Sequence, residues 1–442
     1  MLRRRTTVGI TAVGLITSGA LLGTQGAAHA DFAPQPNDVV TTGSDIIQTS
    51  FNFLADGYQQ LPGYNTAGNR WRFVNFDSSG DAQGRSAYTD PSLLPTIDQG
   101  GTKYVKQSDV KLLNPTISLR AGQPLVVRPS GGGGGGLTAV INDEVVGGIG
   151  GWIDVGRTPN LPKLPDDQNT AQTKLNSKVY SVKVGTDRQL IATATTTNAP
   201  ATLSGQAILK IYNGEYVTWG DIPGYSGPAP TETIIPLTLP SDAGMWTTFL
   251  RGVETQNNIS TNTFTGLGNP NKIQVQQNDP TAITALPEAQ RKNAIVPFPR
   301  GRFKVVEKGY YTVAEDGIGN TNPYNGTRTY TGTTGGKGNK RKSADVAGIK
   351  LLDPDATSGT ANQPTAPYGT NFAYNGVFRQ SDFESDTPWQ PGSTLNWVQA
   401  LFYNPGGPAP FVDTEAGRAL IEAAGVTPDY QVYDQNNSPL ID

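Results

Sequence analysis

The chain has 442 residues, with 34 Lys and Arg against 37 Asp and Glu, a formal net charge of −3, no Cys and one His. Without cysteine it has no disulfide framework and no lipid-attachment residue, so an exported form is held by its core and is not a lipoprotein. The mild acidity argues against a nucleic-acid-binding face, and the one basic run, Lys337 to Lys342, reads as a solvated loop tip.

Residues 1–30 read as a secretory signal: Arg3, Arg4 and Arg5 supply the charge, Val8 to Gly23 is apolar or small, and Ala28-His29-Ala30 is an A-x-A cleavage site. Its removal takes away the only histidine and leaves 31 basic against 37 acidic side chains, a net charge near −6. A mature chain without His or Cys has no Ser-His-Asp or Cys-His mechanism and no usual zinc site, and no cofactor is expected. Beyond the signal no stretch approaches about 18 consecutive apolar residues, so no membrane span is expected. About 410 mature residues exceed what one core usually supports, which predicts two domains.

In chain order, Val39 to Tyr58 opens with a β-type run and turns at Gly43-Ser44-Asp45. Ile46, Ile47, Phe51 and Leu54 follow at helical spacing, with Ser44 or Asp45 as N-cap. A strand is predicted at Trp71 to Phe76, and another at Leu125 to Arg128, running into Pro129, Ser130 and the glycines 131–136. That glycine run suits either a loop bringing bare amides to a ligand or a linker; it lacks the GK[ST] ending of a nucleotide loop. Leu137, Ala139, Val140 and Ile141 resume as a helix, and Gly151 to Pro159 reads as a buried strand ending in a polar turn.

Ile234 to Arg251 is the second clear strand, turn and helix, and places the amides of Asp242 to Met245 at a helix N-terminus. Such a corner attracts anions or is an ordinary capped turn. Residues 312–370 are rich in Thr, Gly, Asn and Pro and read as a surface insertion. Helices are predicted over 394–403 and 414–425, the second with Ala416, Ala419, Leu420 and Ala423 on one face and Gly425 as its C-cap. Successive strands ending in polar or glycine turns point to an open α/β sheet with ligand groups at its carboxyl ends.

These segments, in this order, resemble a bacterial periplasmic-type phosphate-binding protein, the substrate-binding component of a phosphate ABC import system. GSDIIQ at 43–48 is similar to that family's first helix-capping loop, RPSGGGGGG at 128–136 to its second, and WIDVGRTP at 152–159 to its third strand and turn. Gly205 to Tyr225, DAGMWTTF at 242–249 and KNAIVPFPRGRF at 292–303 resemble the later segments. The resemblance implies a two-lobed fold of the periplasmic-binding-protein type (type II), each lobe an open sheet flanked by helices. Lobe I would comprise 31–174 and 306–442, lobe II 175–305, with a ligand cleft between them.

By the same resemblance the ligand residues are Ser44, Asp45, Gly132, Gly133, Arg157, Thr158, Asp242, Gly244 and Thr247. The match is incomplete. Ile46 stands where a threonine is usual, glycines replace the serines of the second loop, and Pro159 replaces an aspartate. Leu239, Ala243 and Met245 stand for arginine, serine and threonine. Losing the charge-assisted arginine contact forfeits a few kcal/mol and each lost hydroxyl roughly one more, so weak phosphate binding is expected.

The implied function is an exported, monomeric solute-binding protein for a small anion or polar solute, with an ABC permease as partner. A second reading is an extracellular interaction or structural module that keeps the fold without the ligand. A third is a carboxylate-driven glycoside hydrolase stacking sugars on Trp152, Trp219 and Trp246.

Overall fold

The computed structural model describes residues 34–67, 69–76, 96–99, 102–105, 116–123, 126–127, 135–143, 150–241, 243–275, 277–278, 282–284, 286–307, 348–352, 367–384, 391 and 394–440. The secretory signal, the Lys337 to Lys342 run and most of the 312–370 stretch lie outside the described residues.

The chain is mixed α/β, with one large sheet flanked by helices. Twelve strands build that sheet: β1 (Val39–Gly43), β2 (Phe73–Asn75), β3 (Thr96–Gln99), β4 (Thr102–Val105), β5 (Val155–Thr158), β6 (Val179–Ala194), β7 (Ile235–Thr238), β8 (Ile273–Gln274), β9 (Ala294–Pro299), β10 (Ile349–Leu352), β11 (Thr370–Arg379) and β12 (Thr427–Tyr433). Their order is β2-β1-β5-β11-β6-β9-β7-β8-β4-β3, with β10 and β12 also paired to β6. The helices used below are α1 (Asp45–Asp56), α2 (Gly135–Asn142), α3 (Asp166–Leu175), α4 (Gly205–Asn213), α5 (Gly244–Gln256), α6 (Arg300–Glu307), α7 (Trp397–Leu401) and α8 (Glu415–Ala423).

The sixteen-residue β6 ties the molecule together. Its first part, Val179 to Lys183, pairs with Arg379 to Asn375 of β11 and with β12; its last part, Gln189 to Thr193, pairs with Pro299 to Ile295 of β9. One sheet thus carries a half built on β1, β2 and β5 and a half built on β7, β8 and β9. The returning chain contributes to both: Leu352 to Ile349 of β10 pair with Ile191 to Ala194 in the second half, whereas Asn375 to Val377 of β11 pair with β5 in the first.

Local sequence accounts for the elements. Val39 to Thr42 are four β-branched residues, which favour an extended, buried strand. α1 follows and is buried along its whole length, so its polar side chains need partners inside the protein. The Asn52 side-chain oxygen accepts from Asn75 Nδ2 at 2.6 Å, and the same Nδ2 donates to the Gln48 carbonyl at 3.0 Å. α8 begins with Thr414 accepting from the Gly417 amide, buries Leu420 and Ile421, and is followed by Gly425 at φ 79. Only glycine adopts that left-handed angle freely, so the helix stops just before Gly425, with Ala424 rather than Gly425 as its C-cap.

Two cores cover the two faces of the first half. On one, Phe51, Phe73, Phe378 and Phe402 pack with ring centroids 5.8 to 6.5 Å apart, and the cluster continues through α8 into the second half. On the other, α2 and α3 seal Val40, Val140, Ile141, Ala171, Val179 and Val377. Burying each of those aromatics contributes about 2 to 3 kcal/mol.

Candidate functional site

Strand direction fixes where a ligand can sit. β1 and β5 run parallel and end at Gly43 and Thr158. β7, β8 and β9 run parallel to one another, antiparallel to β6, and end at Thr238, Gln274 and Pro299. Thr158 is level with Asn375 and Lys183, and Pro299 is level with Gln189. The two sets of carboxyl ends therefore face each other across Val184 to Arg188 of β6, a separation of about 20 Å at roughly 3.3 Å per residue. That floor is flanked by Thr370 to Tyr374 of β11 and by Thr427 and Pro428 of β12. Open α/β sheets bind ligands at such carboxyl ends, where the strand order reverses.

In the first half the order reverses between β1 and β5, and Arg157 fills that point. Its fully buried guanidinium donates from Nε to the Ser44 carbonyl at 3.1 Å, from Nη2 to the Gly43 carbonyl at 3.0 Å, and from Nη1 to the Asn75 side-chain oxygen. The Ser44 amide returns a bond to the Arg157 carbonyl at 3.0 Å. α2 enters against this same backbone. A Cβ on Gly136 would lie 2.1 Å from the Arg157 carbonyl oxygen, and one on Gly43, which has φ +117, would lie 2.5 Å from it. Gly136, the last residue of the glycine run, is thus fixed by backbone-to-backbone packing.

At the start of α1, Ser44 is the N-cap residue but its side chain makes no capping bond, and Asp45 sits in the first turn. Both are buried. Asp45 Oδ1 accepts from Gln277 Nε2 at 2.8 Å, a contact that joins the first half to the chain leaving β8 in the second. The helix end is therefore already supplied with an anion, the Asp45 carboxylate.

The second half has two helix N-termini at its carboxyl ends. α5 starts at Gly244 after Ala243, which offers no side-chain cap. Gln189 Nε2 donates to the Met245 carbonyl at 2.9 Å, and the Tyr368 hydroxyl donates to Gln189 Oε1 at 2.9 Å. α6 starts beside Asp187, whose Oδ1 accepts from the Gly301 amide at 2.9 Å and the Arg188 amide at 2.7 Å, and whose Oδ2 accepts from the Tyr374 hydroxyl at 3.0 Å. Burial pushes the Asp187 carboxyl up to about 6 despite these bonds. Burial, then Asp187, holds the Tyr374 phenol well above its usual range; Arg302 opposes that shift and Asp45 adds to it. Arg302, itself buried, donates from Nε to the Asn278 carbonyl at 3.4 Å.

The structure brings Ser44, Asp45 and Arg157 together and places Thr158 at the end of β5, where its hydroxyl binds the backbone of Asn160. Gly244 opens α5, while Thr247 is exposed one turn along. Gly132, Gly133 and Asp242 lie outside the described residues. Leu239, Ala243 and Met245 are buried in the main hydrophobic core. The reading of three tryptophans as a sugar platform meets the same core: Trp219 is fully buried with Nε1 donating to Asn293 at 2.8 Å, Trp246 is buried, and only Trp152 is half-buried. Sequence reasoning missed Asp187, Gln277, Asn278, Arg302 and Tyr374, which come from four separate segments and carry no shared motif.

No family model matches the chain, and no curated protein matches it. Solved structures do. A protein assigned as a phosphate ABC transporter substrate-binding protein, with phosphate bound, from Clostridium perfringens shares 10% identity at a TM-score of 0.42, covering 89% of this chain and 100% of its own. An ABC-type phosphate transport receptor from Vibrio cholerae shares 10% at 0.39, covering 88% and 100%. An ancestral soluble variant of the human phosphate binding protein shares 11% at 0.40, covering 88% and 90%. Among the described residues no helix is long and apolar enough to cross a membrane.

Proposed function

We propose that the chain is an exported solute-binding protein that holds a small polar solute between its two halves and passes it to an ABC permease. The carrying observation is the opposition of two sets of strand carboxyl ends, with the N-termini of α1, α5 and α6, across the floor formed by β6 and β11. On this reading lobe I takes 31–174 and most of 306–442 and lobe II most of 175–305, with the first residues of β6 pairing in lobe I and β10 in lobe II, and closure brings the two together over the floor. Phosphate is a weak ligand on this reading, because Asp45 and Asp187 supply carboxylates at two of the three helix ends. The proposal is non-enzymatic: the mature chain holds no His or Cys, and two of the three tryptophans offered for sugar stacking are core residues.

One observation favours the second reading, an extracellular interaction module. Arg157 fills the switch point of the first half and Gln277 bonds Asp45 across the halves, so the chain closes part of the crevice with its own side chains. Thermal-shift measurement of the mature protein against inorganic anions, sugars, polyols and amino acids separates the two. A saturable rise in melting temperature with one class supports solute binding. A flat response across all classes overturns it in favour of the interaction module.

A further inference from the structure

We propose, resting on the solute-binding reading above, that the solute is uncharged and carries hydroxyl or amide groups, and that Asn278 is a side chain that selects it. The electrostatics of the junction come first. The α1 N-terminus holds the Asp45 carboxylate and the α6 N-terminus holds the Asp187 carboxylate, both buried. An incoming anion meets two fixed negative charges where helix ends would otherwise attract it, and like charges brought together in a poorly solvated site repel strongly. The two buried guanidiniums nearby, Arg157 donating to Gly43, Ser44 and Asn75 and Arg302 donating from Nε to the Asn278 carbonyl, balance these carboxylates, so the junction has no net positive charge to draw an anion.

Asn278 supplies the positive half of the argument. It follows Gln277, which bonds Asp45, and its carbonyl receives Arg302, so it stands where the halves meet. Its backbone is left-handed at φ 58. The residue is 3% exposed, yet neither its Oδ1 nor its Nδ2 has a hydrogen-bond partner, a state shared at this junction by Asn375. A buried amide left unpaired on both sides is rare, because each unmet group bears its full desolvation cost. Sulfate can answer only Nδ2 and a metal cation only Oδ1, and hydrogen phosphate, which also carries an O–H, brings its charge against the two carboxylates. A hydroxyl or an amide, which donates and accepts, answers both.

The test is titration calorimetry of the full mature chain with myo-inositol, D-glucose and acetamide as uncharged probes and inorganic phosphate and sulfate as anions. The expected result is saturable binding of at least one uncharged probe, with both anions weaker. Asn278→Ala should weaken that probe about tenfold, since it removes a donor and an acceptor at once. If that variant fails to fold, Asn278→Asp is read instead; it keeps an acceptor, removes the donor and should also weaken the uncharged probe. Tight phosphate or sulfate binding without an uncharged ligand overturns the proposal and leaves solute binding standing. Binding of an uncharged probe unchanged by either folded variant also overturns the role of Asn278. No binding by any probe overturns both the proposal and the solute-binding reading.

Discussion

Replacing Arg157 by methionine keeps most of the apolar stem and removes the guanidinium. Three acceptors lose a donor: the carbonyls of Gly43 and Ser44 and the side-chain oxygen of Asn75. Arg157 is fully buried, so solvent does not replace those bonds. Each buried acceptor left unmet costs about 1 to 3 kcal/mol, so three of them cost about 3 kcal/mol or more in all. Taking about 3 kcal/mol and roughly 2 to 4 °C per kcal/mol, Arg157→Met lowers the melting temperature by about 10 °C. Arg157→Lys keeps the charge but loses the fork and falls between the two. Scanning calorimetry of the mature proteins measures this. A shift under about 2 °C for Arg157→Met, within the range of ordinary surface substitutions, refutes the structural role and returns Arg157 to the ligand set.

Asp187 sets a pH dependence. Its folded pKa is raised to about 6 by burial, above an unfolded value of about 3.9, so the folded state binds the extra proton between these values. Stability is therefore fully present below about pH 4 and falls by about 3 kcal/mol as pH rises through 6. Denaturant titrations from pH 4 to 7 should show that fall in the parent and a flatter profile in Asp187→Asn. Gly136→Ala forces a Cβ against the Arg157 backbone, and circular dichroism melting should show a loss of about 3 kcal/mol or failure to fold. Leu239→Arg places a cation in the core, and urea unfolding should show a loss of several kcal/mol with no gain in phosphate binding by calorimetry.

Much of the fold was legible because it is written in local signals. Val39 to Gly43 and Ile235 to Thr238 are β-branched or apolar runs followed by helical spacing, and both became strand–turn–helix units. Thr414 and Gly425 bracketed α8 by cap chemistry that needs only neighbouring residues. The length of β6 was not legible. Nothing in Val179 to Ala194 says that its first residues pair in one half and its last in the other, because that depends on strands more than a hundred residues away in sequence.

The candidate site was legible only as a place. Sequence reasoning located the turn at Gly43 to Asp45 because a strand that ends in Gly-Ser-Asp before an apolar helix is a local pattern. It assigned Arg157 to a ligand by the resemblance of 152–159 to a family ligand loop, where Arg157 and Thr158 adjoin the Pro159 that replaces an aspartate. The deciding fact is tertiary: the guanidinium turns back onto the carbonyls of that same turn, so a pattern that advertises an anion corner becomes one whose donors are spent internally. The same holds at α6, where Asp187, more than a hundred residues upstream, caps the helix end. A sequence motif records which groups are available to a ligand only if the fold leaves them unpaired. At this junction the Asn278 amide, a residue with no motif around it, is left unpaired, as is the Asn375 amide level with Thr158. The position of Asn278 is set by the left-handed turn after β8 and by the carbonyl bond from Arg302, two features that depend on how the chain leaving β8 meets α6.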